Sequence, residues 1–393
     1  MIASFTFVML VLAFAMAIPV LFLAIQTGAA LLPARKSVAT SLPRHLKVAV
    51  VMPAHNEEAA ISKTIHSIVT QLPPTGRLLV VADNCIDGTA YIASQAGAEV
   101  TVRQDIARTG KGYTLDHGVR VLKADPPHVV LFVDADCEVA DGSLATLAAT
   151  CASTGRPVQA RYSMLAPQSA RAADKVSQLA WTIKTLARPL GSARLGWPCQ
   201  LMGSGMAFPF ETISQLNLAT GHLAEDQKLG AELALSAQPP LFCPEAEIIS
   251  QLPQNELAKR QQRTRWEHGH LAIIEEFFVP LMRSAILKRS FPLVAFTADL
   301  CIPPLSLLVL SVALTVGITL SWFIIAGSII PLAISSIALA SLTVSIGAAW
   351  WRFGRALISL REMAAVPAYC LLRVPSFIRF FVHRQTKWVR TER

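Results

Sequence analysis

Two aspartates, Asp134 and Asp136, stand one residue apart directly after the apolar run Val129–Val133. Such a pair places two carboxylates where a hard divalent cation can join them to a diphosphate, because Mg²⁺ keeps few protein ligands and takes the rest from phosphate and water. A cation bound there would offset the charge that grows on a departing diphosphate. The spacing alone is a weak signal, since acidic residues also cap loops. It predicts a metal and diphosphate site only if the surrounding elements support one.

Three further polar clusters lie beside predicted strands or helices. Asp83 could accept hydrogen bonds from a nucleobase or a ribose, or it could simply shape a turn. Arg108 and Lys111 are set among glycines and suit a phosphate group, although an ordinary solvated loop has the same composition. The three clusters are residues 53–58, 83–88 and 108–112.

Short apolar runs alternate with helical patterns between residues 47 and 150, and these elements would position the polar clusters. Apolar residues recur at helical spacing from Ile61 to Leu72, with Asn56 expected to cap that helix, and Tyr113–Leu122 is a second predicted helix. This alternation predicts an α/β fold with a mostly parallel sheet covered on both faces. Ligands bind beyond the carboxyl ends of such strands. The predicted strands are Val48–Met52, Leu78–Ala82, Ala98–Arg103 and Val129–Val133.

The composition indicates a membrane protein, because 53% of the 393 residues are hydrophobic and only 16% are charged. Residues 2–32 carry no charge and are long enough to span a bilayer. A cleaved signal peptide is the alternative, but no basic segment precedes the run. Phe291–Trp351 carries a single charge, Asp299, and we expect two spans in it, near Pro304–Ala326 and Ile329–Trp350.

The net charge of +9 favours anionic lipid over nucleic acid as a partner, since basic residues flank the apolar segments and no nucleic-acid recognition motif is present. Basic residues stay on the cytoplasmic side, so we expect the N-terminus outside and both the central region and the tail inside. Seven scattered cysteines without a CxxC pair fit a reducing cytoplasm. The basic residues behind this orientation are Arg35, Lys36, Arg44 and Lys47 after the first apolar run, and Arg384, Lys387, Arg390 and Arg393 in the tail.

The order and spacing of the motifs resemble family-2 glycosyltransferases with the nucleotide-sugar-binding GT-A fold. Residues 48–58, 81–89 and 134–136 match that family's motifs in order. The pair Glu225–Asp226 and the Gln-x-x-Arg-Trp pattern at 262–266 are similar to motifs of cellulose, chitin and hyaluronan synthases and of ceramide glucosyltransferases. The resemblance covers roughly residues 47–280. It implies a Rossmann-like α/β domain with flanking transmembrane and interfacial helices.

The resemblance implies a role for each matching residue. Asp83 would contact the nucleobase, while Asp134 and Asp136 would bind the ribose, the diphosphate and Mg²⁺ or Mn²⁺. Asp226, with Glu225 beside it, would be the general base that takes a proton from an acceptor hydroxyl. The other expected donor contacts are Pro53, His55, Glu57 and Lys111. The residues expected on the acceptor and diphosphate side are Gly203, Ser204, Gly205, Gln262, Arg265 and Trp266, although the glycines could also form a plain turn.

The activity that the resemblance implies is inverting transfer of a sugar from a nucleotide-sugar, with UDP as the expected nucleotide, to a lipid or lipid-linked glycan. A processive polysaccharide synthase and a non-catalytic membrane scaffold are the alternatives. Three spans cannot enclose a channel when one helix is about 10–12 Å wide. We therefore expect a monomer to add one sugar, unless a homo-oligomer or polysaccharide-assembly partners complete a pore. His268 and His270 lack a third ligand, which argues against zinc.

Together these expectations divide the chain into four segments of an integral protein, expected in a bacterial inner membrane. They are an N-terminal transmembrane helix (1–32), a cytoplasmic GT-A domain (45–285), two C-terminal transmembrane helices (291–351) and a basic amphipathic tail in the membrane interface (352–393).

Overall fold

The computed structural model describes residues 2–33, 45–167, 170–253 and 255–385, which form two compact units. The sheet unit contains residues 45–167, 198–253, 255–269 and 385, and the helical unit contains residues 2–33, 170–197 and 270–384. The expected domain 45–285 is therefore interrupted, because residues 170–197 belong to the helical unit. Six basic residues behind the expected orientation lie outside the described residues, namely Arg35, Lys36, Arg44, Lys387, Arg390 and Arg393.

Helices occur in both units. In chain order they are α1 (Ile2–Leu31), α2 (Ile61–Val69), α3 (Thr89–Gln95), α4 (Lys111–Leu122), α5 (Ser143–Thr154), α6 (Ala172–Thr182), α7 (Arg188–Arg194), α8 (Phe210–Ile213), α9 (Glu225–Leu235), α10 (Glu256–Leu287), α11 (Phe291–Leu300), α12 (Leu305–Ala326), α13 (Ile329–Ala349), α14 (Leu360–Met363), α15 (Val366–Leu371) and α16 (Val374–Val382). Two π-helical segments, Ile183–Ala187 and Trp350–Gly354, follow α6 and α13 directly.

One mixed sheet organises the sheet unit. Its strands are β1 (Val48–Ala54), β2 (Arg77–Asp83), β3 (Glu99–Arg103), β4 (Val129–Phe132), β5 (Glu138–Val139), β6 (Val158–Leu165), β7 (Met206–Pro209) and β8 (Leu241–Gln251). Their order across the sheet is β3-β2-β1-β4-β7-β6-β8-β5. The four strands that the sequence predicts are parallel neighbours, as expected. β7 is antiparallel to β4 and β6, and β8 is parallel to β6 but antiparallel to β5.

Helices pack against the central strands and bury them. Six of the seven β1 residues are buried, which explains why this strand is almost wholly apolar. α4 packs against β1 and β2, and Gly118 permits the close approach, since a Cβ there would lie 2.5 Å from Val51 Cγ1. The Phe132 and Phe208 rings lie 5.1 Å apart in the core between helices and sheet. Burying each such ring contributes about 1.5–3 kcal/mol to the stability of the fold.

Asn56 does not cap the helix that follows β1, contrary to the sequence prediction. α2 begins at Ile61, with Ala60 at the cap position. Asn56 instead has a φ of 52°, in the left-handed region that asparagine tolerates, and its Oδ1 accepts a hydrogen bond of 2.8 Å from the Ile86 N–H. The asparagine therefore joins two loops rather than starting a helix.

Four helical stretches of the described chain are long and apolar enough to cross a membrane. They are Ile2–Leu31, Leu305–Ala326, Ile329–Gly354 and Leu360–Val382. The first three correspond to the spans that the sequence predicts. The fourth lies in the tail expected to rest in the interface, and it consists of α14, α15 and α16, with Pro367 and Pro375 in the first turns of the last two. Length and composition thus give four candidate spans where the sequence suggested three.

Polar residues buried in the helical unit join three segments that are distant in the chain. Gln26 of α1 donates hydrogen bonds to Ser192 Oγ (2.9 Å) and Asp299 Oδ1 (2.7 Å). Arg188 of α7 donates to the Asp299 carboxylate (2.8 Å) and to its backbone carbonyl (2.7 Å). A Cβ at Gly191 would lie 1.9 Å from the Gln26 carbonyl oxygen, so only glycine allows α7 to approach α1 this closely. Asp299, the single charge of the apolar region, is therefore paired and hydrogen-bonded.

We expect the Arg188–Asp299 pair to behave as a buried ion pair. Arg188→Met leaves the Asp299 carboxylate without its cation, which in such pairs costs about 3–5 kcal/mol. The double variant Arg188→Met/Asp299→Leu removes both charges and should recover most of that loss. The midpoint of heat-induced unfolding in detergent, followed by tryptophan fluorescence, measures both effects.

The matched control is Lys175→Met, which breaks the partly exposed Lys175–Glu362 pair (2.6 Å) in the same unit. The unfolding midpoint should stay nearly unchanged, because solvent screens an exposed ion pair. The single variant Asp299→Leu completes the set. If the double variant loses as much stability as the two single variants lose when their effects are added, the pairing is contradicted.

Candidate active site

The first two predicted clusters are tied together at one edge of the sheet. β1 and β2 are parallel neighbours, so their carboxyl ends meet there. The His55 ring donates a hydrogen bond from Nδ1 to the Asp83 carbonyl oxygen, and the Glu57 N–H donates to Thr89 Oγ1 at 2.7 Å. Pro53 lies within β1, beside β2. These three residues, predicted to contact the donor, thus shape the loop that carries Asp83.

The Asp83 carboxylate is buried and already accepts three hydrogen bonds. They come from Arg103 Nη1 (2.6 Å), Thr114 Oγ1 (2.9 Å) and Asn84 Nδ2 (3.1 Å). Arg103 also donates to the Arg108 carbonyl oxygen at 2.8 Å, so it links β3 to the glycine-containing loop. The side chain of Asp83 is fixed by this network. Its contact with a nucleobase stays a prediction, and Arg103 and Thr114 were not identified from the sequence.

Backbone geometry explains the glycines on either side of Lys111. Gly110 has a φ of 135°, a conformation that L side chains rarely adopt. A Cβ at Gly112 would lie 2.6 Å from the carbonyl oxygens of both Leu218 and Thr220. The two glycines therefore allow α4 to begin at Lys111, close against the 218–221 segment.

Lys111 connects three of the predicted site regions. Its Nζ pairs with the Asp134 carboxylate, donates to the Gly203 carbonyl oxygen at 2.8 Å and lies 3.9 Å from Glu225 Oε1. Burial lowers the pKa of the ammonium group, but the negative charges of Asp134, Glu225 and Asp226 more than offset it, and the pKa is raised. Lys111 is therefore positively charged at neutral pH.

Asp134 and Asp136 form a donor set suited to a hard divalent cation. One ligand atom from each, together with Cys137 Sγ, lies within 4.8 Å of the others. Burial raises the pKa of the Cys137 thiol to about 12, so the thiol keeps its proton and is a poor ligand at neutral pH. The two carboxylates provide oxygen ligands, which Mg²⁺ and Mn²⁺ prefer. The residues present therefore fit the expected cation.

The glycine loop brings backbone, without side chains, next to the acidic pair. Gly203 has a φ of 90°, and a Cβ there would lie 3.5 Å from Asp226 Oδ2 and 3.8 Å from Lys111 Nζ. Gly205 has a φ of 69°, and a Cβ there would lie 2.4 Å from Ile248 Cγ1. Each glycine meets a different constraint, and the role of this loop in acceptor binding stays a prediction.

Gln159 fixes the glycine loop, and it was not identified from the sequence. This fully buried residue of β6 donates from Nε2 to the Ser204 carbonyl oxygen (2.9 Å) and accepts from the Met202 N–H at Oε1 (2.8 Å). The Ser204 hydroxyl in turn accepts from the Asp134 N–H at 3.1 Å. A glutamine inside the apolar stretch 158–160 was the available signal, but its partners lie more than forty residues away.

The acidic pair Glu225–Asp226 stands in the first turn of α9, where a helix favours negative charge. Burial first, and then the charge of Asp226, raise the pKa of Glu225 to about 7, although Lys111 and Arg265 act in the opposite direction. Glu225 therefore exchanges its proton near neutral pH. Two carboxyl groups so close titrate as a pair.

The Gln-x-x-Arg-Trp motif lies on α10, where Gln262, Arg265 and Trp266 share one helical face. A Cβ at Gly269 would lie 3.0 Å from Ala224 Cβ, so α10 packs closely against the start of α9. This packing agrees with the effect of Arg265 on Glu225. Gln262 is buried, and the other two side chains are partly exposed.

The two histidines on α10 make hydrogen bonds to the backbone. His268 Nδ1 accepts from the Gln385 N–H at 3.3 Å, and His270 Nε2 donates to the Leu300 carbonyl oxygen at 2.9 Å. The sequence argument against zinc stays a prediction.

Eight of the predicted site residues form two groups. Asp134, Gly203, Glu225 and Asp226 lie around the Lys111 ammonium group in the sheet unit. The other group, which contains His55, Glu57 and Asp83, forms its contacts around the ends of β1 and β2.

Comparison with known proteins identifies the family and the fold of the chain. The model of the family described as "Glycosyltransferase like family 2" matches residues 43–269, more than half of the chain. No curated protein sequence is significantly similar. A mannosyltransferase from Pyrobaculum calidifontis, in complex with GDP-Man and Mn²⁺, is similar in structure with a TM-score of 0.55 and 18% identity, over 94% of this chain and 100% of that one. Glucosyl-3-phosphoglycerate synthase of Mycobacterium tuberculosis gives 0.38 and 22%, over 56% and 80%.

The chain belongs to glycosyltransferase family 2. Its sheet unit has the GT-A fold, and the protein is an enzyme that transfers a sugar from a nucleotide-sugar donor. The prediction of the family and fold from the motifs is confirmed.

If Asp226 is the base, as the sequence predicts, Asp226→Asn should lower turnover by about 10²–10⁴, because the substitution keeps the shape but removes the base. Binding of the nucleoside diphosphate should stay nearly unchanged, which calorimetry can measure on the same samples. The matched control is Glu232→Gln, an equally conservative change on α9 two turns further along. Near-normal turnover of Asp226→Asn would contradict the assignment of the base.

Proposed function

We propose that this enzyme transfers one sugar, with inversion, from a UDP- or GDP-sugar to a hydroxyl group of a lipid or lipid-linked acceptor. UDP is the nucleotide that the sequence motifs favour. GDP enters because the similar mannosyltransferase binds GDP-Man. The observation that carries the proposal is the Asp226 carboxylate, which lies against a glycine backbone beside Lys111.

The chemistry follows from this arrangement. Gly203 has no side chain, so a sugar or a hydroxyl group can approach the Asp226 carboxylate. Asp226 takes the proton of the acceptor hydroxyl group as the hydroxyl oxygen attacks the anomeric carbon of the donor sugar. The bond from that carbon to the diphosphate breaks, and its electron pair leaves with the diphosphate. A single displacement of this kind inverts the configuration.

Lys111 and Arg265 place positive charge close to Glu225. Cations positioned before the reaction stabilise charge that develops on a leaving group. Asp134 and Asp136 would bind Mg²⁺ or Mn²⁺, which would offset further negative charge on the diphosphate when bound. The Mn²⁺ in the similar mannosyltransferase supports this choice of ion.

The helical unit supports an acceptor that resides in the membrane. Its four candidate spans could bound a groove for an apolar tail. Enclosing a polymer on all sides would take roughly five or more helices of 10–12 Å width. A single chain is therefore better suited to single addition than to polymer export, which is the alternative function.

We expect purified enzyme in detergent to consume one donor from a panel of UDP- and GDP-sugars when given a membrane lipid extract. The product should be an extractable lipid carrying one added sugar. Excess chelator should abolish transfer, and Asp136→Ala should weaken metal-dependent donor binding, because a carboxylate ligand is lost. Chromatography and mass spectrometry of the extract identify the product.

Glu138→Ala is the control for Asp136→Ala, since Glu138 is two residues away but pairs with Lys63 at 2.7 Å. A long polymer made without added partners would refute single addition. Full activity in excess chelator would refute the metal role.

We also propose an integral protein of a bacterial inner membrane, with the N-terminus outside and the sheet unit in the cytoplasm. Cysteines placed at Ser4, Ala124 and His383 can be labelled with an impermeant reagent from either side. Label should reach Ser4→Cys from outside, and Ala124→Cys and His383→Cys from inside. Labelling of His383→Cys from outside would mean that Leu360–Val382 crosses the membrane and would refute the interfacial tail.

A further inference from the structure

Lys111 is bound to a carboxylate that the proposed metal site also requires. Its ammonium group pairs with Asp134 and donates to the Gly203 carbonyl oxygen at 2.8 Å. Asp134 is one of the two carboxylates that fit the cation. One carboxylate group therefore has two candidate positive partners.

The two partners disfavour each other. A divalent cation binds carboxylate oxygen at about 2.0–2.1 Å, and an ammonium group does so at about 2.7–2.9 Å. On one carboxylate the two positive charges would lie only a few ångströms apart, where the repulsion is strong because protein screens charge less than water does. The Lys111 side chain is only 16% exposed, so solvent screens this repulsion weakly.

We propose that Lys111 competes with the divalent cation for Asp134, and that the diphosphate of the donor ends this competition by offering its own oxygens to the ammonium group. The inference rests on the proposed function, in which Asp134 and Asp136 bind the metal. It makes Lys111 a positioning residue that couples two ligands, the cation and the diphosphate.

The local structure allows the lysine to change partners without moving the backbone. The start of α4 is fixed, because Gly110 has a positive φ that favours glycine and Gly112 lies in close contact with the 218–221 segment. The Lys111 side chain is a flexible four-carbon stem with a compact charge at its end. Rotation of this stem can move the ammonium group away from Asp134 while the backbone stays in place.

The consequence is a thermodynamic coupling. Metal alone must displace Lys111 from Asp134 and leave its ammonium group with only the Gly203 carbonyl oxygen and the more distant Glu225, whereas metal arriving with a diphosphate brings a new anionic partner for that group. Each ligand therefore raises the affinity for the other by the same factor, as linkage requires. Removal of the lysine charge should strengthen binding of metal alone and reduce the coupling.

The test measures Mn²⁺ affinity directly by electron paramagnetic resonance, on the full chain in detergent, without turnover. Mn²⁺ is titrated alone, with UDP and with GDP, and the analysis includes the known binding of Mn²⁺ to free nucleotide. In the wild type, one of the two nucleotides should raise Mn²⁺ affinity by about tenfold or more, within the usual range of coupling between sites. Lys111→Met should bind Mn²⁺ alone about tenfold tighter than the wild type and should show a smaller effect of nucleotide.

Two further variants separate local from general effects. Lys111→Arg keeps the charge and should bind Mn²⁺ alone as weakly as the wild type does. Lys123→Met removes an exposed charge just beyond the other end of α4 and should leave Mn²⁺ affinity unchanged. If Lys123→Met matches Lys111→Met, the effect is one of net charge and the inference fails.

The wild-type titrations decide the inference even if Lys111→Met does not fold. Equal Mn²⁺ affinity with and without nucleotide would overturn the competition while leaving the proposed metal site intact. No Mn²⁺ binding in any titration would overturn both this inference and the metal role in the proposed function. Lys111→Met binding Mn²⁺ no more tightly than the wild type would also overturn the inference.

Discussion

The active site depends on one buried positive charge among several carboxylates. Burial and the charge of Asp226 both disfavour negative charge on Glu225. The Lys111 ammonium group offsets this penalty only in part, since the pKa of Glu225 still rises to about 7. Because the acidic side chains of this site outnumber the positively charged side chains beside them, the site can bind a metal ion or exchange a proton near neutral pH. Both properties are useful for a transferase that must stabilise a diphosphate and deprotonate a hydroxyl group.

Backbone geometry brings these charges together, and it does so at positions that only glycine can occupy. Gly110 and Gly112 set where α4 begins, and hence where Lys111 stands. Gly203 brings an unobstructed backbone next to Asp226, and Gln159 of β6 fixes that loop by hydrogen bonds. The lysine can therefore reach Gly203 and Asp134 at once. The charged side chains of this site are therefore positioned by glycines and a buried glutamine that take no part in the proposed reaction.

The sequence predicts those parts of the fold and site that depend on local patterns. β1, β2 and β4 are mainly apolar runs, β3 alternates polar and apolar residues, and the boundaries of all four differ from prediction by two residues at most. It does not predict the second half of the sheet, where β5 has two residues and β7 only four. It also misplaces the start of α2, because Asn56 satisfies a loop N–H instead of capping the helix. Arg103 and Gln159 act through distant partners, which periodicity and spacing do not reveal.

Sequence patterns also fail to predict the interruption of the sheet unit by residues 170–197, because it too depends on contacts between residues that are distant in the chain. This segment carries charged residues, so its composition is typical of a soluble domain, yet Arg188 is buried in the helical unit against Asp299. Gln26, Arg188 and Asp299 would each be costly to bury alone, and their hydrogen bonds to one another form only when α1, α7 and α11 pack together. We infer that these three polar residues specify which segments assemble, because an apolar surface would accept many partners whereas a buried charge accepts few.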